Sequence, residues 1–269
     1  MSGRIFITDW DETATMADTT ALIALAASRR DRDAVPPFTH FSQIYLDAYL
    51  AYIAQEASGC GRRDSVIAEE KFQQGMRAVE YTSIRALEET GYFKGFPIGK
   101  LRDLVPKVEL RPGFVDFVKS AGCPVYVLSV NWCRRLIEWV LEFHGVRHVT
   151  VLANDFEVDA EDITTGKFDR RCDIRTGYDK AMELARIRSL HPALNLFYFG
   201  DSSGDVLPIL KADYGGVITG GRARTVLGLL AEVYMLESDF RSPDSVGLYS
   251  QVPKVFEATW HELAAAWHR

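Results

Sequence analysis

The sequence contains no apolar, uncharged run near the roughly 20 residues that a membrane-crossing helix needs, and the stretch Thr19–Ser28 is typical of what it offers. No membrane partner is expected. Its amino terminus places only Ile5-Phe6-Ile7 between one arginine and Asp9, too little for the apolar stretch of a secretory signal. Cysteine is scarce: Cys60, Cys123, Cys133 and Cys172 lie far apart with no CxxC pair, which argues against a zinc site and a disulfide framework. A reducing, cytoplasmic setting is the resulting expectation. Twenty glycines and ten prolines in 269 residues are too few for a low-complexity or collagen-like chain. Basic residues are also not in excess, since 31 Lys and Arg against 37 Asp and Glu give a net charge of -6. Nucleic acid is therefore not an expected partner, and nothing in the chain specifies an oligomeric state.

What is present is an ordinary globular composition, 47% hydrophobic and 25% charged, in a length that suits one large domain or two modest ones. Short apolar runs recur, each ending at a small or polar residue. Arg4–Thr8 ends at Asp9, Pro124–Leu128 at Ser129, Val149–Leu152 before Asn154, Leu196–Phe199 at Gly200-Asp201, and Gly216–Ile218 at Thr219. The runs are continuous rather than alternating, as in strands buried on both faces of a parallel sheet. Helical patterns separate them: Phe114 to Gly122, Trp132 to Phe143, and Tyr178 to Leu190. This alternation predicts an α/β domain with a doubly wound, Rossmann-like parallel sheet.

Residues 15–108 break the rhythm with three helical patterns in succession, Thr19–Ser28, Phe41–Ala57 and Asp64–Glu89, separated by turn chemistry at 34–37 and 58–61. They predict a helical cap inserted after the first strand of a core made of 1–14 and 109–269. Within 156–173, Ile163-Thr164-Thr165-Gly166-Lys167-Phe168 predicts a small hairpin. Thr259-Trp260-His261-Glu262 reads as a capping box opening a final helix. Tyr45, Tyr49 and Tyr52 are expected to pack against the other cap helices, and Cys60 and the charged run 29–33 are read as loop and solvated helix end.

Ligands of an open parallel sheet bind at the carboxyl ends of its strands. That edge is predicted to gather Asp9, Asp11, Ser129, Asn154, Asp201 and Asp205. So many carboxylates together need a cation, a lysine or a proton. Here the chain resembles the haloacid dehalogenase superfamily, whose members are mostly magnesium-dependent phosphatases. The Asp-x-Asp-x-Thr motif reads Asp9-Trp10-Asp11-Glu12-Thr13 after an apolar strand; the strand-closing Ser is Ser129; the lysine near a helix start is Lys180; and Gly-Asp-x-x-x-Asp reads Gly200-Asp201-Ser202-Ser203-Gly204-Asp205. All four occur in the family's order.

The resemblance implies hydrolysis of a small phosphomonoester, with Asp9 as nucleophile, Asp11 as general acid and base, Ser129 bonding a phosphoryl oxygen, and Lys180 neutralising charge. Mg2+ is implied on the Asp9 carboxylate, the Asp11 carbonyl and Asp201, with Asp205 holding metal-bound water. Asp11 must carry a raised pKa, and crowding by Asp9, Asp201 and Asp205 is the expected cause. The cap resembles that of phosphoserine-phosphatase-like members, and Asp18, nine residues after Asp9, falls where some of them carry an acidic residue facing the substrate; capping of the first cap helix is an equal reading. Asn131 and Ser202 are further candidates for substrate binding. Glu12 departs from the glycine usual at its position, and Trp10 from the usual Phe. Phosphoryl transfer to another hydroxyl and a non-catalytic scaffold remain alternatives, while dehalogenation leaves Asp11 and the metal residues without a task.

Overall fold

A computed structural model describes residues 3–27, 35–58, 63–230, 236–237 and 255–267. Cys60, the charged run 29–33, residue 34 of one expected turn and residues 59–61 of the other lie outside the described residues.

The first strand, β1 (Gly3–Thr8), sits inside a seven-stranded sheet. It pairs in parallel with β2 (Val125–Leu128) on one side and β6 (Leu194–Gly200) on the other. Beyond β2 lies β3 (Val149–Leu152). Beyond β6 lie β7 (Tyr214–Ile218), then β9 (Val255–Ala258) and β8 (Leu236–Glu237), every pairing again parallel. Ile5 and Ile7 join Leu196, Tyr198 and Val217 in one core, while Phe6 joins Phe199, Phe117 and Trp260 in the other. Both faces are thus covered, which is why the strands read as unbroken apolar runs. Helices α4 (Phe114–Ser120), α5 (Arg134–Phe143) and α6 (Gly177–Leu190) follow the predicted order. The capping box before α9 (Trp260–Trp267) forms, with Glu262 accepting from the Thr259 N–H at 2.7 Å.

Between β1 and β2 the chain forms α1 (Thr20–Ala27), α2 (Phe38–Ser58) and α3 (Val66–Thr90), followed by a 3-10 segment, Ile98–Lys107. Ser65 caps α3 by accepting from Ala68 N–H, and Gly91 ends it at φ 63°, the left-handed region that glycine adopts without penalty. The expected hairpin is β4 (Phe156–Val158) with β5 (Thr164–Phe168), an antiparallel pair. Among the described residues no helix is long and apolar enough to cross a membrane.

The sequence reading lacks β8, β9 and the 3-10 segment. β9 has only four residues, one of them Glu257, and pairing to β7 rather than periodicity makes it a strand. Pro106 interrupts the helical pattern near the end of the 3-10 segment.

The carboxyl-terminal helix grips the loop after β1. Trp260 is buried against Phe114 and Phe117, and its Nε1–H donates to the Thr13 carbonyl at 2.9 Å. Trp260→Phe keeps an aromatic body but strands that carbonyl, so it should cost about 1–3 kcal/mol, read as a lower urea midpoint at unchanged slope. An unaltered midpoint would show that the bond contributes nothing.

Candidate active site

From β1 the chain winds outward through β2 and β3 and then returns to β6 on the other side of β1, and a crevice opens where the winding reverses. Asp9 follows β1 and Asp201 follows β6 at this point. The two strand ends are tied by the Asp9 N–H to the Phe199 carbonyl at 2.9 Å.

Two close approaches need glycine. A Cβ on Gly200 would lie 2.3 Å from Asp205 Cγ, and one on Gly177 would lie 2.5 Å from the Gly204 carbonyl oxygen. The second approach brings the start of α6 against the loop carrying Asp205. Thr176 and Asp179 cap that helix reciprocally, and Lys180 then projects from its first turn. Its buried Nζ stands 2.8 Å from Asp9 Oδ1 and 2.7 Å from Asp205 Oδ1.

Asp205 is satisfied within the protein. Tyr198 Oη donates to its Oδ1 at 2.7 Å, and the Asp201 and Ser202 N–H groups and Ser202 Oγ donate to its Oδ2. Asp201 accepts from Thr13 Oγ1 at 2.9 Å. Asp9, Asp201 and Asp205 each place an oxygen within 4.8 Å of the others.

Asp11 belongs to a different cluster. Its Oδ1 accepts from Thr19 N–H at 2.7 Å and Thr19 Oγ1 at 2.6 Å, and its Oδ2 accepts from Asn131 Nδ2 at 2.8 Å. The Asn131 N–H donates to Ser129 Oγ at 3.1 Å, so the second and first motifs meet here. Asn154 clamps this region, donating to the Val130, Asn131 and Ile174 carbonyls and accepting from Ile174 N–H.

The cluster faces a cavity of about 430 Å³ lined by Asp9, Asp11, Asp18, Lys180, Asp201 and Ser202. An adjoining cavity of about 420 Å³ shares Asp18, Tyr45, Glu80 and Arg175 with it. Of the substrate candidates, Asp18 both accepts from Thr20 N–H at 2.7 Å and lines both cavities. Ser202 lines the first cavity. Asn131 is fully buried, with its amide spent on Asp11, Thr19 and Cys133 N–H rather than offered to a ligand. Tyr52 packs on α3 as expected, whereas Tyr45 and Tyr49 also line cavity walls.

A family profile of haloacid dehalogenase-like hydrolases matches residues 6–210. The chain belongs to this family. A CTO1 family protein of Schizosaccharomyces pombe is 32% identical over 218 residues, 75% of this chain and 76% of its own. Cold tolerance protein 1 of Saccharomyces cerevisiae is 27% identical over 80% of this chain and 78% of its own. A solved phosphoserine phosphatase, an analogue of its phospho-aspartyl intermediate, superimposes with a TM-score of 0.54 over 86% of this chain and 92% of its own at 16% identity, a likeness of fold.

In this haloacid dehalogenase-like hydrolase the carboxylates differ electrostatically. Burial, then the charge of Asp205, pushes Asp9 well up. Burial also acts on Asp205, but Lys180 and Tyr198 outweigh it and hold Asp205 low. Asp201 is raised to about 6 by burial and by Asp205. Asp11 also rises to about 6, but burial is the chief cause and Asp18 the next, so the expected crowding by Asp9, Asp201 and Asp205 is corrected. The side chain of Asp11 is held by Thr19 and Asn131, away from the metal-type cluster.

The donor set suits a hard divalent cation. Three buried carboxylates face one buried ammonium, and burial together with mutual repulsion raises two of them. Sequence reasoning gave no role to Thr13, Thr19 or Tyr198; the threonine of Asp-x-Asp-x-Thr was a signal for the first.

Asp201 disfavours its own ionisation in the fold. Its stabilising contribution is present below the ordinary carboxylate value of 3.8 and lost as pH rises through about 6. In chelator, Asp201→Asn should therefore gain up to about 2 kcal/mol over wild type between pH 4 and pH 7. Urea midpoints at both pH values measure this, and a gap that shrinks toward pH 7 would reverse the sign.

Proposed function

We propose that this hydrolase removes phosphate from a small phosphorylated metabolite through an aspartyl-phosphate on Asp9. The observation that carries the reading is the separation of two carboxylates only two positions apart in sequence. Asp9 meets Lys180 at 2.8 Å, while Asp11 is held by Thr19 and Asn131 with its pKa near 6. The first position suits a nucleophile and the second a proton carrier near neutral pH.

In this reading an Asp9 oxygen attacks phosphorus while Lys180 balances charge on the phosphoryl group. Asp11 gives its proton to the departing alkoxide and then takes one from the water that hydrolyses the acyl-phosphate. Ser129 lies within the same hydrogen-bonded group and is assigned to a phosphoryl oxygen. Asn131 is assigned to orient Asp11, and Asp205, whose two oxygens are taken by Lys180, Tyr198 and its own turn, is assigned to hold Lys180 and the turn at Asp201 instead of the metal-bound water expected of it. Mg2+ would be held by the Asp9 carboxylate, the Asp11 carbonyl and Asp201, and when bound supplies the positive charge that lets a phosphate dianion approach Asp9.

The division into a core of 1–14 and 109–269, a cap of 15–108 and a hairpin insertion of 156–173 belongs to the same proposal. It is supported by the cavity walls, to which α2 and α3 contribute Tyr45, Tyr49, Phe72, Gln73, Met76 and Glu80.

Release of phosphate from p-nitrophenyl phosphate, with and without Mg2+, tests the activity. Chelation should abolish turnover and Mg2+ restore it; full activity in excess chelator would overturn the metal assignment. Asp9→Asn should fall below about a thousandth of wild type on every substrate. Asp11→Asn should still label Asp9 from this good leaving group yet turn over slowly, so that a hydroxylamine-sensitive phosphoenzyme accumulates. A label on another residue would refute the mechanism.

A further inference from the structure

Arg175 precedes the cap of α6 and is only 4% exposed. One edge of its guanidinium is anchored: Nε donates to Asp173 Oδ1 at 2.8 Å, and Cζ lies 4.7 Å from the centre of the Phe168 ring. The other edge is not. Nη1 and Nη2 are buried and have no hydrogen-bond partner among the described residues. Buried donors are rarely left unpaired, and a charged group without acceptors is among the most costly exceptions.

The position of this edge matters, because Arg175 lines both the cavity containing Asp9 and Lys180 and the adjoining one. The adjoining cavity is walled by Phe38, Phe41, Tyr45 and Trp132. Glu80, which also lines it, is hydrogen-bonded to Tyr45 and pushed up to about 7 by burial, which weakens its competition for the arginine near neutral pH. A guanidinium edge with paired N–H groups matches two coplanar oxygens, and aromatic walls match a hydrocarbon body.

Resting on the phosphatase reading, we infer that Arg175 determines specificity by binding a carboxylate at the far end of the leaving group. The substrate is then an organic phosphate with an apolar middle and a carboxylate tail. Arg175 acts on recognition, and the bond cleavage stays with Asp9 and Asp11.

The test compares phenyl phosphate with 4-carboxyphenyl phosphate, and alkyl phosphates of two to six carbons with their ω-carboxy counterparts. Wild type should prefer the carboxylates at one chain length, and in Arg175→Gln the ratio of kcat/KM for carboxylate over matched neutral ester should fall about 10- to 100-fold. Arg175→Lys, which keeps the charge but not the fork, should recover part of the ratio and guards against misfolding by Arg175→Gln. An equal fall for both members of each pair would place Arg175 on the phosphate or in the fold and overturn the inference, as would an unchanged ratio. Calorimetric titration with the matching phosphonates reads the same discrimination without turnover. It therefore decides the role of Arg175 even if wild type releases no phosphate, an outcome that would count against the phosphatase reading alone.

Discussion

Lys180 holds its ammonium between Asp9 and Asp205 at a depth where hardly any of its side chain meets solvent. An ammonium taken that far from water costs several kcal/mol unless it is paired and hydrogen-bonded. Here the pairing joins three places: the end of β1, the start of α6, and the turn after β6. Asp205 completes the arrangement because its second oxygen is already filled by the N–H groups of its own turn and by Ser202. The lysine therefore has one carboxylate that is structurally committed and one, Asp9, that is not. The asymmetry explains why Asp205 is held low while Asp9 is pushed up, although both touch the same ammonium.

Asp11 shows the complementary device. It stands two residues from Asp9, yet its partners are a threonine at the entrance to α1 and an asparagine beyond β2. Donors from Thr19 and Asn131 favour its ionised form, while burial and Asp18 oppose ionisation and prevail. The result is a carboxyl group oriented by donors and tuned by burial. Proton transfer to and from a reacting oxygen requires both properties.

The sheet was largely legible from the sequence because strands buried on both faces leave unbroken apolar runs, and because the runs of β1 and β6 stop at Asp9 and Asp201, which line the crevice. Ile5, Phe6 and Ile7 illustrate both points, since alternate side chains enter opposite cores and the strand ends at Thr8, just before Asp9. β9 was not legible, because Val255–Ala258 becomes a strand only by pairing with β7. In the site, the motif residues converge, but their connections were hidden. Thr13 and Asp201 are 188 positions apart, and Asn131 and Asp11 are 120 apart. The source of the Asp11 shift was misjudged for the same reason. Proximity in the motif pointed to Asp9, whereas the fold supplies burial and Asp18.

Glu12 shows how the first loop tolerates a residue where glycine is usual. Its φ of 56° lies in the left-handed region, costing a non-glycine residue about 1–2 kcal/mol. Three contacts offset this. The Glu12 N–H donates to Thr15 Oγ1 at 3.1 Å, its carbonyl accepts from Arg111 Nε at 2.9 Å, and its carboxylate pairs with Arg222. The first two fix the backbone of the loop between Asp11 and Thr13, and the third reaches across the mouth of the cavity. Arg222 Nη2 also approaches Asp201 Oδ2 at 3.9 Å, so the side chain that glycine lacks draws a cation toward a crowded carboxylate group. Glu12 itself adds negative charge beside Asp201, and Arg222 stands close to both carboxylates. A glycine would leave the loop less strained but without this link between the turn after β1 and the turn after β7.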